Sequence, residues 1–288
     1  MNYTLPITEK INEFYQWSLS ISDDRTKGWL MIDSPAPTII YTVIYFIIVG
    51  LGPRYMKNRK PFELTFILIQ YNVFMTLLNL YIAIELLVVS NLLRYSYVCQ
   101  PLTFMNNNDE LRLLRAVWWF YFSKLLEFWD TIFFILRKKD KQLTFLHVYH
   151  HSTIFCLMWM IVKWVPSGST FLLAMINSFI HVLMYSYYAL SALGLKIEKY
   201  LWWKKYLTII QLIQFAFCLF WCVHAIKSGC KYSIWMQYLL VIYMISFIGL
   251  FGNFYVKTYV QKGTNNNSNV SRKYEYTENS VCTSKKNH

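Results

Sequence analysis

Three histidines stand in one short phrase, Leu146-His147-Val148-Tyr149-His150-His151-Ser152-Thr153-Ile154. On a helix, positions 147, 150 and 151 fall at i, i+3 and i+4, so all three imidazoles leave one face. The apolar run continues through Met158 to Val162, which places the rings in a segment suited to a membrane, where ionisable side chains are costly and mark function. Imidazole offers a nucleophile and a general base at neutral pH, and neighbouring rings set its tautomer and basicity. The phrase reads as the active site of a membrane enzyme.

Other polar groups interrupt apolar runs nearby. Lys124-Leu-Leu-Glu127-Phe-Trp-Asp130-Thr131 puts opposite charges at i, i+3, and Glu127 is assigned to an ion pair that lowers the cost of burial. Asn177, His181 and Tyr188 lie at i, i+4 and i+11, with Tyr187 in the aromatic stretch Met184-Tyr185-Ser186-Tyr187-Tyr188. Thr208, Gln211 and Gln214 line one polar face of a further run. Hydrogen-bonding glue between helices is the structural alternative for such residues. His224, alone near the far end of its run, reads as structural.

The elements that must position these groups follow from composition. The 288 residues are 56% hydrophobic and 19% aromatic, and the net charge of +13 is dispersed in short clusters between apolar runs. That pattern fits a bilayer and excludes a nucleic-acid-binding stripe. Seven runs can be drawn, at about 34 to 52, 64 to 89, 113 to 136, 145 to 162, 170 to 193, 206 to 226 and 234 to 256, each long enough to cross. The predicted fold is all-α and polytopic, with seven transmembrane helices bundled around an internal chamber. It divides into a short N-terminal tail (1–33), a seven-helix domain (34–257) and a mostly disordered C-terminal tail (258–288).

Loops one, three and five carry Arg54, Lys57, Arg59 and Lys60, then Arg137, Lys138, Lys139 and Lys141, then Lys196, Lys199, Lys204 and Lys205. The other loops are poorer in cations, so the odd loops are placed in the cytosol, the N-terminus outside and the C-terminus inside. No cleavable signal peptide is visible. The sequon at Asn2 agrees with this orientation; those at Asn266 and Asn269 should go unused. Cys99 and Cys230 then share the non-cytosolic side and are predicted to pair, whereas Cys156, Cys218 and Cys222 read as packing residues. No CxxC pair indicates a zinc or redox motif. Near the C-terminus, Lys285 and Lys286 resemble a dilysine signal of the endoplasmic reticulum.

With this topology Lys124, Asp130, His147, His150, His151, Tyr187 and Gln211 fall in or near the cytosolic half, with His181 deeper at roughly 18 Å from its helix end at 1.5 Å per residue. Arg137, Lys139 and Lys204 rim the mouth, where a phosphate-bearing substrate needs cations. A histidine box also invites a di-iron oxygenase reading, as in membrane desaturases, and a single divalent metal is a further option. Only four histidines here can meet, however, and Glu127 and Asp130 have other partners at hand, so the ligand count favours a site with no metal and no cofactor. An apolar chamber favours the uncharged ring, which suits attack on a thioester and hence acyl transfer. A seven-helix receptor is the non-enzymatic rival, but the usual Arg-containing triplet after span three and the Asn-Pro motif in span seven are absent.

Five phrases in order carry a family resemblance: Lys124-x-x-Glu127-x-x-Asp130-Thr131, Ile135-Leu136-Arg137-Lys138-Lys139, Leu146-His147-Val148-Tyr149-His150-His151, His181-Val182-x-Met184-Tyr185-x-Tyr187-Tyr188 and Thr208-x-x-Gln211-x-x-Gln214-Phe215. Together they resemble the signatures of the ELO family of very-long-chain fatty acid elongases, from span one to span seven. The resemblance implies a 3-oxoacyl-CoA synthase of the endoplasmic reticulum membrane that condenses acyl-CoA with malonyl-CoA, working beside the reductases and dehydratase of the elongation cycle. It implies that His150 carries the acyl chain, that His181 faces it, and that His147, Asn177, Tyr187, Thr208 and Gln211 position the thioester or malonyl group. It further implies that Lys124, Arg137, Lys139, Gln142 and Lys204 contact coenzyme A, with the tail cation left open between Lys262 and Arg272. The rings Tyr185, Tyr187 and Tyr188 and the phrase Lys163-Trp164-Val165-Pro166 look most like the polyunsaturated, very-long-chain branch. A homo-oligomer is compatible with the sequence.

Overall fold

The computed structural model of the chain describes residues 6–194, 197 and 199–261. The expectations for Asn2, Lys196, Lys262, Asn266, Asn269, Arg272, Lys285 and Lys286 lie outside the described residues. Among those residues all regular structure is helical.

The helices are α1 (Ile7–Ser20), α2 (Ala36–Met56), α3 (Thr65–Leu92), α4 (Asn108–Leu126), α5 (Phe128–Leu136), α6 (Phe145–Trp164), α7 (Thr170–Ala192), α8 (Lys204–Lys227) and α9 (Ile234–Tyr255). Among the described residues, six are long and apolar enough to cross a membrane: α2, α3, α6, α7, α8 and α9. The 21 residues of α2 extend roughly 31 Å at 1.5 Å per residue, the thickness of a bilayer core. Its Ile39, Ile40, Val43, Ile44, Ile47 and Leu51 stay exposed, as a lipid-facing surface must.

The third predicted span is one traverse made of two helices, α4 and α5, broken at Glu127. The cause is a side chain entering the helical ladder. Tyr71 on α3 donates its hydroxyl to the carbonyl of Leu126 at 3.2 Å, and the Asp130 amide, which would have used that carbonyl, bonds Glu127 O at 3.1 Å instead. Glu127 is fully buried at this break.

Helices α4, α6, α7, α8 and α9 surround a central cavity, while α2 packs outside against α5 and α6, and α3 outside against α4 and α7. The ring closes between α6 and α9, where Thr153 meets the Tyr243 hydroxyl at 2.9 Å and Tyr149 meets Ser246 at 3.0 Å. At one end the basic loops meet: Phe62 N donates to Leu136 O at 3.0 Å and Lys138 Nζ to Lys57 O at 3.0 Å. At the opposite end Cys99 and Cys230 form a disulfide with Cα atoms 5.7 Å apart. Gly168 lies there with φ +63°, and a Cβ would come within 2.8 Å of Pro101 O, so the α6–α7 turn requires glycine.

The N-terminal segment differs from a simple polar tail. It forms α1, and the chain after it is laced to the disulfide end. Trp164, Trp118 and Trp159 donate their indole N–H groups to the carbonyls of Ser18, Leu30 and Met31 at 2.7, 3.1 and 3.0 Å. Arg25 pairs with Asp23 at 2.6 Å and reaches Glu110 at 3.4 Å, and Glu110 also accepts from Thr103 and, at 2.6 Å, from Tyr95. Burial, followed by the Glu110 carboxylate, pushes the Tyr95 hydroxyl's pKa up, so it remains a donor at neutral pH. Local pattern alone could not show this, because the partners lie about 80 residues away in the chain.

Candidate active site

Helix α6 starts at Thr144, whose hydroxyl accepts the His147 amide at 3.2 Å and so caps the first turn. That cap fixes the rotation of the histidine phrase. The three rings leave one side, with His147 and His151 centroids 4.3 Å apart and His150 and His151 5.0 Å apart.

Each ring is held differently. Nε2 of His147 lies 2.7 Å from the Thr131 hydroxyl, which is 3.0 Å from the hydroxyl of Tyr45 on α2. His151 is buried, with Nδ1 3.9 Å from Glu127 Oε2. His150 stands beside His151 and Phe247, 5.4 Å from the latter between centroids, and its ring opens into the central cavity. Of the three imidazoles, His150 is the one that lines the cavity.

Glu127 is the hub. Lys124 Nζ lies 2.8 Å from its Oε1 and 3.2 Å from Asn177 Oδ1. His181 Nδ1 lies 3.1 Å from the same Oε1, close enough to pair but not aligned as a hydrogen bond. Glu127 Oε2 and His151 Nδ1 are also buried without a hydrogen-bond partner. Such orphaned atoms cost about 1–3 kcal/mol each, and their concentration around one carboxylate marks a site built for more than packing. Asp130 stands apart and accepts the Tyr185 hydroxyl at 2.7 Å.

The structure brings together His147, His150, His151, His181, Lys124 and Asn177. It places Tyr187 in a separate apolar cluster with Leu201 and Leu207, edge-on to Trp203 at 5.0 Å, away from the histidines. Thr208 is buried on α8, and half-buried Gln211 donates to Met184 Sδ at 3.7 Å. Arg137 is half-buried at the end of α5, and Lys139, Gln142 and Lys204 are exposed at the basic end. Glu127, Thr131 and Tyr45 were missed as site residues. The first two sit in a phrase whose i, i+3 charges were visible, whereas Tyr45 has no local signal. Among the described residues no three His, Cys, Asp or Glu side chains are grouped to hold a metal ion.

The cavity is narrow, about 80 Å³, and almost wholly apolar. It begins at His150, Asn177, Gln214 and Phe247 and ends at Thr170, Tyr232 and Gln237. Along α6 it runs from His150 to Ile161, roughly 16 Å at 1.5 Å per residue. A reactive ring at the head of a long greasy slot suits a substrate with one reactive end and a hydrocarbon chain. The floor is sealed by the Thr170 and Tyr232 hydroxyls, 2.7 Å apart.

Comparison with known proteins agrees. The model of the ELO (GNS1/SUR4) family matches residues 30–267. The chain belongs to the ELO family. It is 50% identical over 247 residues to human very long chain fatty acid elongase 4, covering 86% of this chain and 79% of that protein. To very long chain fatty acid elongase 5 of Xenopus tropicalis it is 44% identical over 270 residues, covering 94% and 89%. Membership sets aside the oxygenase and receptor readings. The family match spans α2 to α9 and leaves α1 outside.

Proposed function

We propose that this ELO-family chain is the condensing enzyme of fatty acid elongation, joining a long-chain acyl-CoA to malonyl-CoA to give a 3-oxoacyl-CoA two carbons longer. The observation that carries the mechanism is the position of His150, the one imidazole of the box that opens into the apolar cavity.

The neutral ring of His150 attacks the thioester carbonyl. The C–S bond breaks, coenzyme A leaves with the proton that the ring nitrogen releases, and the acyl group rests on imidazole with its chain in the cavity. Malonyl-CoA then loses carbon dioxide. The resulting enolate carbon attacks the acyl carbonyl, the C–N bond breaks, and the departing imidazolate takes up a proton from water, which regenerates neutral His150. Neither half needs an oxidant or a resident cofactor. Lys124 and Glu127 supply fixed charge beside the reacting carbonyl, in a dry site where it acts strongly. His181 and Asn177 face the box from α7. Arg137, Lys139, Gln142 and Lys204 offer donors to the phosphates and pantetheine arm, and Thr208, Gln211 and Tyr187 have weaker claims as positioning groups.

The basic end is cytosolic and the disulfide end lumenal, which puts the N-terminus in the lumen of the endoplasmic reticulum. Long, polyunsaturated chains are the favoured substrates. The cycle's reductases and dehydratase are the expected functional partners.

Microsomes given radiolabelled malonyl-CoA and a panel of acyl-CoAs test this reading. Label should appear in 3-oxoacyl product and vanish with His150→Ala while the protein still accumulates. Intact-mass measurement should show an acyl adduct that the His150→Ala protein lacks. Label retained by that variant would overturn the covalent step.

A further inference from the structure

Helix α1 presents an apolar stripe that nothing among the described residues covers. At 100° per residue, Ile7, Ile11, Phe14 and Ser18 share one face, flanked by Tyr15 and Trp17, while Glu9, Asn12, Glu13 and Gln16 occupy the other. Ile7, Ile11, Phe14 and Trp17 are 77%, 62%, 65% and 55% exposed. Four large apolar groups on one short helix do not stay in water without a reason.

The rotation of α1 is fixed where the stripe reaches the bundle. Ser18 is the buried residue of the helix, and its carbonyl accepts the indole N–H of Trp164 at 2.7 Å. Trp164 is the last residue of the membrane-crossing α6 and stands edge-on to Trp235 at the start of α9, 6.4 Å between centroids. Two tryptophans at adjoining helix ends mark the level of a membrane–water interface. The face that turns toward that level at Ser18 is the face that carries Phe14, Ile11 and Ile7 one, two and three turns earlier.

We propose that α1 is an interfacial anchor, lying in the bilayer surface at the disulfide end with Ile7, Ile11 and Phe14 seated among phospholipid chains. Its occupant is lipid because α1 is tied at Ser18 to Trp164, the end of the membrane-crossing α6, beside the exposed Trp235 that opens the membrane-crossing α9. Recognition is hydrophobic: Glu9, Lys10 and Glu13 leave a net negative charge on the helix, so anionic headgroups are not required. The anchor holds the segment 18–32, and through it the ends of α4 and α6, against the membrane.

The test uses the full chain in phosphatidylcholine vesicles with the photoreactive residue benzoylphenylalanine placed at Phe14, at Ile11 or, on the opposite face, at Asn12. Elongation activity in each variant verifies folding, since none of these positions touches the site. After irradiation, a phospholipid adduct should form at positions 14 and 11 at least fivefold more than at position 12. Equal yields on the two faces, no phospholipid adduct at either apolar position, or a cross-linked dimer in place of lipid would overturn the proposal, the dimer assigning the stripe to a second copy.

Discussion

The hydroxyl oxygen of Thr131, on α5, lies 2.7 Å from Nε2 of His147, on α6. Because the same hydroxyl also meets Tyr45 at 3.0 Å, one threonine ties the outer helix α2 to the histidine box. Thr131→Val keeps the shape and removes the hydroxyl. It should cost about 1–3 kcal/mol of stability, since two buried partners lose their bond, and turnover should fall about tenfold, equivalent to ~1.4 kcal/mol on the barrier. Thr131→Ser should retain most of both. Labelled malonyl-CoA incorporation and thermal melting read the two effects; full turnover in Thr131→Val would remove Thr131 from the positioning chain.

Glu127 can be divided into its structural and chemical parts. Breaking a buried ion pair by removing one partner costs about 3–5 kcal/mol, whereas replacing both partners by apolar groups is often neutral. Glu127→Gln should therefore melt earlier and condense at least tenfold more slowly. The double change Lys124→Met with Glu127→Leu should recover stability without recovering condensation. If activity returned together with stability, the pair would be glue alone.

The cavity is narrow enough for one side chain to shorten it. Ala174, 3% exposed, lines it one turn beyond Asn177 toward the floor. Ala174→Phe should depress kcat/KM for the longest acyl-CoA substrates while sparing the shorter ones, with an overpacking penalty of about 1–3 kcal/mol. A uniform loss across chain lengths, measured over the acyl-CoA panel, would mean that the chain does not run past Ala174.

The disulfide closes a long stretch of chain, Cys99 and Cys230 being 131 positions apart. Replacing both by Ser should destabilise the protein by about 2–5 kcal/mol. The bond lies at the floor end, remote from the histidines, so the initial rate at low temperature should change little. Melting curves and progress curves at two temperatures check this, and a large rate loss in folded protein would link the floor to the chemistry.

Much of this was legible in the residues themselves. Helical spacing brought His147, His150 and His151 to one face, and the apolar runs marked the crossings, because backbone satisfaction in a membrane leaves few alternatives to a helix. The i, i+3 spacing of Lys124 and Glu127 likewise announced an ion pair. By contrast, neither the break at Glu127 nor the helix α1 followed from the pattern. The first depends on a hydroxyl delivered by Tyr71 from another helix, and the second has its apolar stripe interrupted by Ser18 and begins only seven residues into the chain.

Sequence by itself thus determined which groups are chemical, which segments cross and which helix faces are polar, since these are properties of side-chain type and period. Only the tertiary structure decided that His150 is the ring left open to the cavity and that Glu127 is shared by Lys124 and His181. It also decided that Tyr187 turns to Trp203 while Tyr185 takes Asp130. Each of those choices depends on how neighbouring helices rotate and approach, and rotation between helices is set by packing over the whole interface.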